Sequence, residues 1–418
     1  MARPKGSPNK PKQTGNMLYT VQLDKQIDGQ AVTKKNQLYD VVNWGAKNNY
    51  PLLLLDLYAQ SPTHHAAVDF AVNAIVGDGV DYEAMKVDGS QIMPNYYQTW
   101  EDIIRSLSLD YILYGSYALQ IIKNKDGKTF SFYHTPLEKV RWTQYDEDGQ
   151  ITHYKISADW TSPTQNPPID VPAFDMQDAD KLEKGQPYLL VYRKYTPTMT
   201  YYTSPLYTAA IKAIQSEIEY LNYDLKNITN GFVPSGMLVL NEAENDQERE
   251  TIIRNIQNMF IGSENANSLM VSFRRNQEET APEFVPFAVD AKADRYEAAN
   301  NRTISRILAG HQIPSPMLIG MPDSTNSGFS SDADKIETAF QLYMKLVGNN
   351  NRIAIVKTIN TLLNMNGVDV EIVLKPLKFN DFSDGGNVTT NTNTTDKNQD
   401  TDENNIEERA DKSEEEEQ

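Results

Sequence analysis

Cysteine is absent from the 418 residues of this chain, which removes disulfides, thiolate metal sites, cysteine nucleophiles and thiol redox sensing. Long apolar runs are missing as well. The purest stretches are short pieces such as Leu52–Leu55, far below the roughly 18 residues of a membrane helix. Arg3, Lys5, Lys10 and Lys12 precede any acid, but no apolar segment follows them as a secretory leader requires. The expectation is a soluble, intracellular chain with no membrane partner. No GxxxxGK[ST] phosphate loop occurs, so any work on a nucleic acid must draw its energy from a separate ATPase. Positive charge is in deficit: 39 Lys+Arg face 57 Asp+Glu, a net charge of −18. That balance speaks against a protein that coats nucleic acid by neutralising phosphates.

The acidity is unevenly placed. Residues 381–418 hold 13 acids and 3 bases, a net of −10, so the preceding 380 residues carry −8. Val388 and Ile406 are the only large apolar side chains after Phe382, too few to offset ordering entropy, and residues 381–418 read as a disordered acidic tail. Residues 1–20 read as a disordered basic arm. Between Trp160 and Pro187, Pro163, Pro167, Pro168 and Pro172 argue against any regular element, and the segment reads as a surface excursion within a folded unit.

Residues 51–76 read as helical, with a start signal at Ser61-Pro62 and Ala67, Phe70, Ala71, Ala74 and Ile75 at helical spacing before Gly77 and Gly79. A second amphipathic helix runs through Trp100, Ile103, Ile104, Leu107 and Tyr111 to Gly115. Then the period changes. Residues 118–123 and 129–133 flank the turn Asn124–Gly127, and residues 140–143 and 151–156 flank Tyr145–Gly149. This is an antiparallel meander after helices, an α+β pattern.

The second half carries Ser204 as a helix cap and Pro205 at the first helical position. From there Ile211, Ile214, Ile218, Leu221, Leu225 and Ile228 form a narrow, heptad-like seam. Beyond Gly231 come strands in 235–240, 269–273 and 284–287 and a helix in 246–260. A returning helix over 290–308 then carries Ala293, Tyr296, Asn300, Ile304 and Ile307 along one side. Two long helices thus bracket a small α/β insert. A loop rich in Pro, Gly and Ser follows, too long to be a mere connection. Helices over 332–347 and 353–363 and a strand over 368–375 close the pattern.

Four stretches carry a resemblance: SPTHHAAVDFAVNAIVGDGV (61–80), LDYILYGSYALQIIKNKDGKTFSFYHTPLEKVRW (109–142), SPLYTAAIKAIQSEIEYLNYDLKNITNGFVPSGMLVL (204–240) and NRTISRILAGHQIPSPMLIG (301–320). In this order and spacing they resemble the portal proteins of tailed bacteriophages, in particular the compact family of lambdoid and related phages. The resemblance implies a portal fold assembled as a homo-oligomeric ring, commonly of twelve subunits, at one capsid vertex. Double-stranded DNA would pass through it. The large terminase would dock first and a head–tail adaptor later, with the major capsid or scaffold protein alongside. It also implies a division of the chain: a wing over residues 21–203, stem helices over 204–230 and 290–311, a clip over 231–289, a tunnel loop over 312–331 and a return to wing or crown over 332–380. The excursion at 161–187 and the acidic tail match nothing in that family. The implied role is non-enzymatic, with no cofactor or metal.

On that division the loop would line the channel with Met317, Leu318, Ile319, Met321, Ser324, Thr325, Asn326 and Ser327, a nearly uncharged surface over which a polyanion slides. The first helix is net −1 and the second net +1, so Lys212, Lys226, Arg302 and Arg306 are left between DNA contact and salt bridges to a neighbouring subunit. The clip is net −5, which suits protein docking, with Glu242, Glu244, Arg249, Arg254, Arg274 and Arg275 as the contact candidates. A head–tail adaptor without the helix–insert–helix arrangement is one alternative. A hydrolase or nuclease built on His64, His65 and Asp69 is another, although adjacent helical histidines point about 100° apart. His134, His153 and His311 lie in separate elements with no companion nucleophile and read as structural.

Overall fold

The computed structural model describes residues 35–36, 39–230, 236–241, 247, 250–252, 254, 270–274, 283–286, 293–322 and 333–377. The basic arm, the acidic tail and most of the helix expected over 246–260 lie outside them.

A short hairpin, β1 (Lys35–Asn36) with β2 (Val41–Val42), leads into α1 (Tyr50–Gln60) and α2 (Pro62–Val76). Ser61 alone separates the two helices. It closes α1, and its Oγ accepts the His64 N–H at 3.2 Å as the cap of α2, with Pro62 first in the helix. One face of α2 is therefore core, including Ala67, Val68, Ala71 and Ile75. At the far end the Arg352 guanidinium donates to the Ala74 and Ile75 carbonyls at 2.9 Å each, where the helix dipole favours a cation. After the single turn α3 (Tyr82–Met85), α4 (Trp100–Tyr114) opens with a reciprocal capping box between Thr99 and Asp102 and closes on Gly115 at φ +74°.

Two antiparallel three-stranded sheets follow, rather than one meander. In the first, β3 (Ser116–Lys123) lies between β4 (Phe130–Thr135) and β8 (Pro187–Arg193). In the second, β6 (His153–Ile156) lies between β5 (Val140–Trp142) and β7 (Ile169–Pro172). The proline-rich excursion thus contains an edge strand and a 3-10 segment, Met176–Lys181, where an irregular path was expected. Prolines are tolerated there because β7 has one free edge and Pro172 sits at its end, where no donor is needed. The chain then returns as β8, and Tyr192 stacks on Tyr117 across the sheet, centroids 4.9 Å apart.

These sheets and helices meet around Trp44, which stacks on Tyr202 at 4.4 Å and meets Trp142 edge-on at 5.4 Å. Arg141, fully buried beside them, donates to Asn48 Oδ1 (2.6 Å) and to the Asn48, Glu138 and Val140 carbonyls. Its guanidinium also lies over the Trp44 and Trp160 rings. Desolvation pulls its pKa down to about 10, so it remains a cation held by carbonyls and ring faces.

The first long helix, α5 (Ile211–Asn230), begins later than Ser204-Pro205 suggested, after a 3-10 turn at Thr208–Ala210. Thr203 and Ser204 are otherwise engaged. Thr203 Oγ1 donates to the Tyr114 carbonyl at 2.6 Å, and the Ser204 carbonyl lies against Gly115, where a Cβ would sit 2.5 Å away. The insert contributes one sheet in which β9 (Gly236–Asn241) pairs parallel with β10 (Met270–Arg274) and antiparallel with β11 (Glu283–Pro286). The chain returns as α6 (Ala293–Gly310), makes a 3-10 turn at Pro316–Ile319, and ends in α7 (Ala333–Tyr343) and α8 (Asn349–Met365). A π turn, Met344–Gly348, joins α7 and α8 without the expected break.

Residues 368–375 make one isolated bridge, Leu374 with Val80, instead of the expected strand. Their partner is the tight Gly77–Gly79 turn, which presents too few aligned groups for a ladder. Gly77 is required there on two counts: φ is +65°, and a Cβ would lie 1.9 Å from the Lys375 carbonyl oxygen. Gly149 has φ +75° with nothing within 4 Å of its Cβ position. Gly149→Ala is expected to cost about 1 kcal/mol, the backbone strain alone. Gly77→Ala is expected to cost roughly 3 kcal/mol or more. Urea unfolding followed by tryptophan fluorescence checks the pair, and equal losses would refute the close-approach account.

Candidate functional site

The bracketed pair α5 and α6 pack on each other and are fastened to the body at one end. Where α6 ends, Gly310 lies so close to the turn entering α5 that a Cβ would meet Ala210 Cβ at 2.3 Å. Above this crossing the seam is buried: Ile214 and Ile307 are fully covered, and Ile211 nearly so. Further along α5 it is uncovered, with Leu221 44% and Leu225 60% exposed. The same heptad-like pattern therefore serves two environments.

The fastening is polar. Glu217, 5% exposed, sits on the seam face between Ile214 and Ile218. Its carboxylate accepts Thr63 Oγ1–H at 2.5 Å and the Ser61 hydroxyl. Both donors belong to the start of α2, so an anion of α5 rests on the positive end of α2. Beside it the fully buried His64 shares a hydrogen bond with His311, Nδ1 to Nε2 at 2.9 Å. Tyr207 stacks on His311 with centroids 5.1 Å apart and tilts against His64 at 4.2 Å. Burial pushes His64 down to about 2 and His311 to about 4, so near neutral pH one neutral imidazole donates to the other. His65 turns the other way, to Asp69 at 3.4 Å and the Tyr58 carbonyl at 3.1 Å. The structure thus divides the His64/His65/Asp69 group between a core joint and a surface pair.

A family model described as Phage portal protein matches residues 74–354, a span that includes α5, the β9–β11 sheet and α6. The chain belongs to the phage portal protein family. The mixed helix and sheet fold is similar to that of solved gene transfer agent neck structures at low identity. The neck of an empty gene transfer agent particle computed with C6 symmetry shares 16% identity over 78% of this chain and 84% of that one, TM-score 0.52. The neck of a native gene transfer agent particle computed with C12 symmetry shares 16% over 78% and 83%, TM-score 0.51. An HK97 family phage portal protein from Corynebacterium diphtheriae shares 11% over 77% and 95%, TM-score 0.42. No curated protein matches the chain at a significant level.

In this portal chain the residues expected at the channel separate. Met317 is buried at 7% exposure, and Leu318 and Ile319 pack partly against the core. The half-buried Met321 lies beyond them, while Ser324, Thr325, Asn326 and Ser327 fall outside the described residues. Lys212, Arg302 and Arg306 are exposed and form no ion pair among the described residues. Lys226 lies in α5 and Arg274 in β10, their side chains undescribed. Arg254 is exposed, and Glu242, Glu244, Arg249 and Arg275 lie outside the described residues. The joint itself was not foreseen, because residues 61–64, 207–217 and 311 are distant in sequence. A carboxylate on the apolar face of α5 was the available signal.

Both histidines have folded-state pKa values below the ordinary 6.5, so the unfolded chain binds protons more readily. Their contribution is present above about pH 6.5 and is lost as pH falls toward 4, at up to about 1.4 kcal/mol per pH unit and group. His311→Phe is expected to flatten the acid limb of a stability–pH curve. An unchanged slope would mean that His311 titrates normally in the fold.

Proposed function

We propose that the chain is the subunit of a portal ring, a non-enzymatic channel at a capsid vertex through which double-stranded DNA enters and leaves. The observation that carries this reading is the family match, which runs without interruption through both long helices and the inserted sheet. The exposed half of the seam supports it: a helix face with Leu221 and Leu225 uncovered is suited to burial against a second copy. The C12 symmetry in which one similar neck was computed supports a ring of twelve, and the virion in which another similar chain was solved supports a place in the particle.

On this reading α5 and α6 are the stem, the β9–β11 sheet belongs to the clip that meets the terminase and then the head–tail adaptor, and the channel loop begins after Gly320. Arg302 and Arg306 lie one turn apart on the exposed side of α6. The near-neutral net charge of both long helices offers few phosphate contacts, so DNA would be guided without being held. The clip as a whole, net −5, suits protein partners rather than DNA.

Negative-stain imaging of the purified full chain is expected to show rings, and a stable monomer would overturn the reading. Leu221→Asp with Leu225→Asp should abolish rings while leaving the circular dichroism of the subunit intact. Deleting Met321–Ser327, which leaves the buried Met317 in place, should keep rings and lower the amount of DNA retained per particle. Loss of assembly instead would make that loop structural.

A further inference from the structure

Next to the joint lies a cavity of about 150 Å3. Its walls are the end of α6 at Gly310–Gln312, the π turn through Leu346 and Val347, the start of α8 at Asn350 and Asn351, and Lys194 just beyond β8. Ala71 of α2 and Ile112 of α4 close its apolar side. The lining holds one cation and no carboxylate.

Two donors in this lining lack partners. Asn351 is 4% exposed, and its buried Nδ2 has no hydrogen-bond acceptor. A buried donor left unmet costs about 1–3 kcal/mol. The Lys194 ammonium makes no hydrogen bond or ion pair among the described residues, although its backbone N–H is fixed to the Gly115 carbonyl at 3.1 Å. Lys194 is itself an exposed residue of the lining, and partial desolvation lowers its pKa with no carboxylate contributing an opposing effect. Part of the wall is a π turn, a helical insertion frequent at functional sites.

We propose that this cavity binds a small oxyanion, a carboxylate or phosphate group, held between the Lys194 ammonium and the Asn351 amide. An oxyanion supplies what the lining lacks: a negative charge for the lysine and an acceptor for the buried amide. Occupancy would brace the segment after β8 against α8. It would also bear on the joint, because His311 is both a wall of the cavity and the partner of His64. The inference does not depend on the portal reading.

The test is thermal unfolding of the full chain in sodium acetate, sodium phosphate and sodium chloride at matched pH and ionic strength, for the native chain and for Lys194→Ala. Ligand that binds only the folded state raises the midpoint with concentration. Acetate or phosphate, or both, is expected to do so beyond chloride, with an apparent dissociation constant at least tenfold weaker in Lys194→Ala. Binding of acetate alone identifies a protein carboxylate as the occupant, and binding of phosphate alone identifies free phosphate. General stabilisation by an excluded salt would be the same in both chains and would overturn the proposal. So would equal midpoints in all three salts, the result for a cavity that holds only water. Should Lys194→Ala fail to fold, Lys194→Gln keeps the side-chain stem and removes the charge.

Discussion

Two long helices that share an apolar seam must be anchored at one end if they are to stand away from the body. Here the anchor is the crossing of Gly310 over Ala210, with the Glu217 carboxylate beside it on the first turn of α2. A buried carboxylate is tolerated only because two hydroxyls and a helix start satisfy it. The surrounding elements follow from that demand. Ser61 must end α1, cap α2 and donate to Glu217 at once, and His64 and His311 must be neutral to pack against Tyr207.

From this anchor outward, α5 passes from covered to uncovered within one seam. Ile211 and Ile214 belong to the subunit's own core, whereas Leu221 and Leu225 are exposed. In the loop after α6, Ile313 and Met317 are drawn into the core. A net charge of −18 first argues against contact with nucleic acid. Its distribution, with an acidic tail, an acidic insert and nearly neutral long helices, is what the proposed channel would require.

Much of the fold was legible because its signals are local. The glycine stops at Gly77 and Gly115, the turn at Asn124–Gly127 and the apolar spacing on α5 each arise within a few residues. The failures have one cause. Ser204-Pro205 carries a sound helix-start signal, yet the Ser204 carbonyl is packed against Gly115 and the neighbouring Thr203 hydroxyl is bonded to the Tyr114 carbonyl. The prolines of 161–186 did predict an interruption, but a sheet edge accommodates a short strand that a sheet interior would reject. Residues 368–375 have strand composition and lack a partner long enough to form one.

By itself the sequence determined the α+β class, the two long helices around an inserted sheet, the uneven charge and, through four ordered stretches, the family. Those properties depend on neighbours along the chain or on counts. Only the tertiary structure decided which half of the seam is core, that Arg141 is a buried strut, that Glu217, His64 and His311 form one joint, and that Lys194 and Asn351 share a cavity. Such outcomes depend on which distant segments exclude water from one another, and burial of this kind leaves no periodic trace in any one segment.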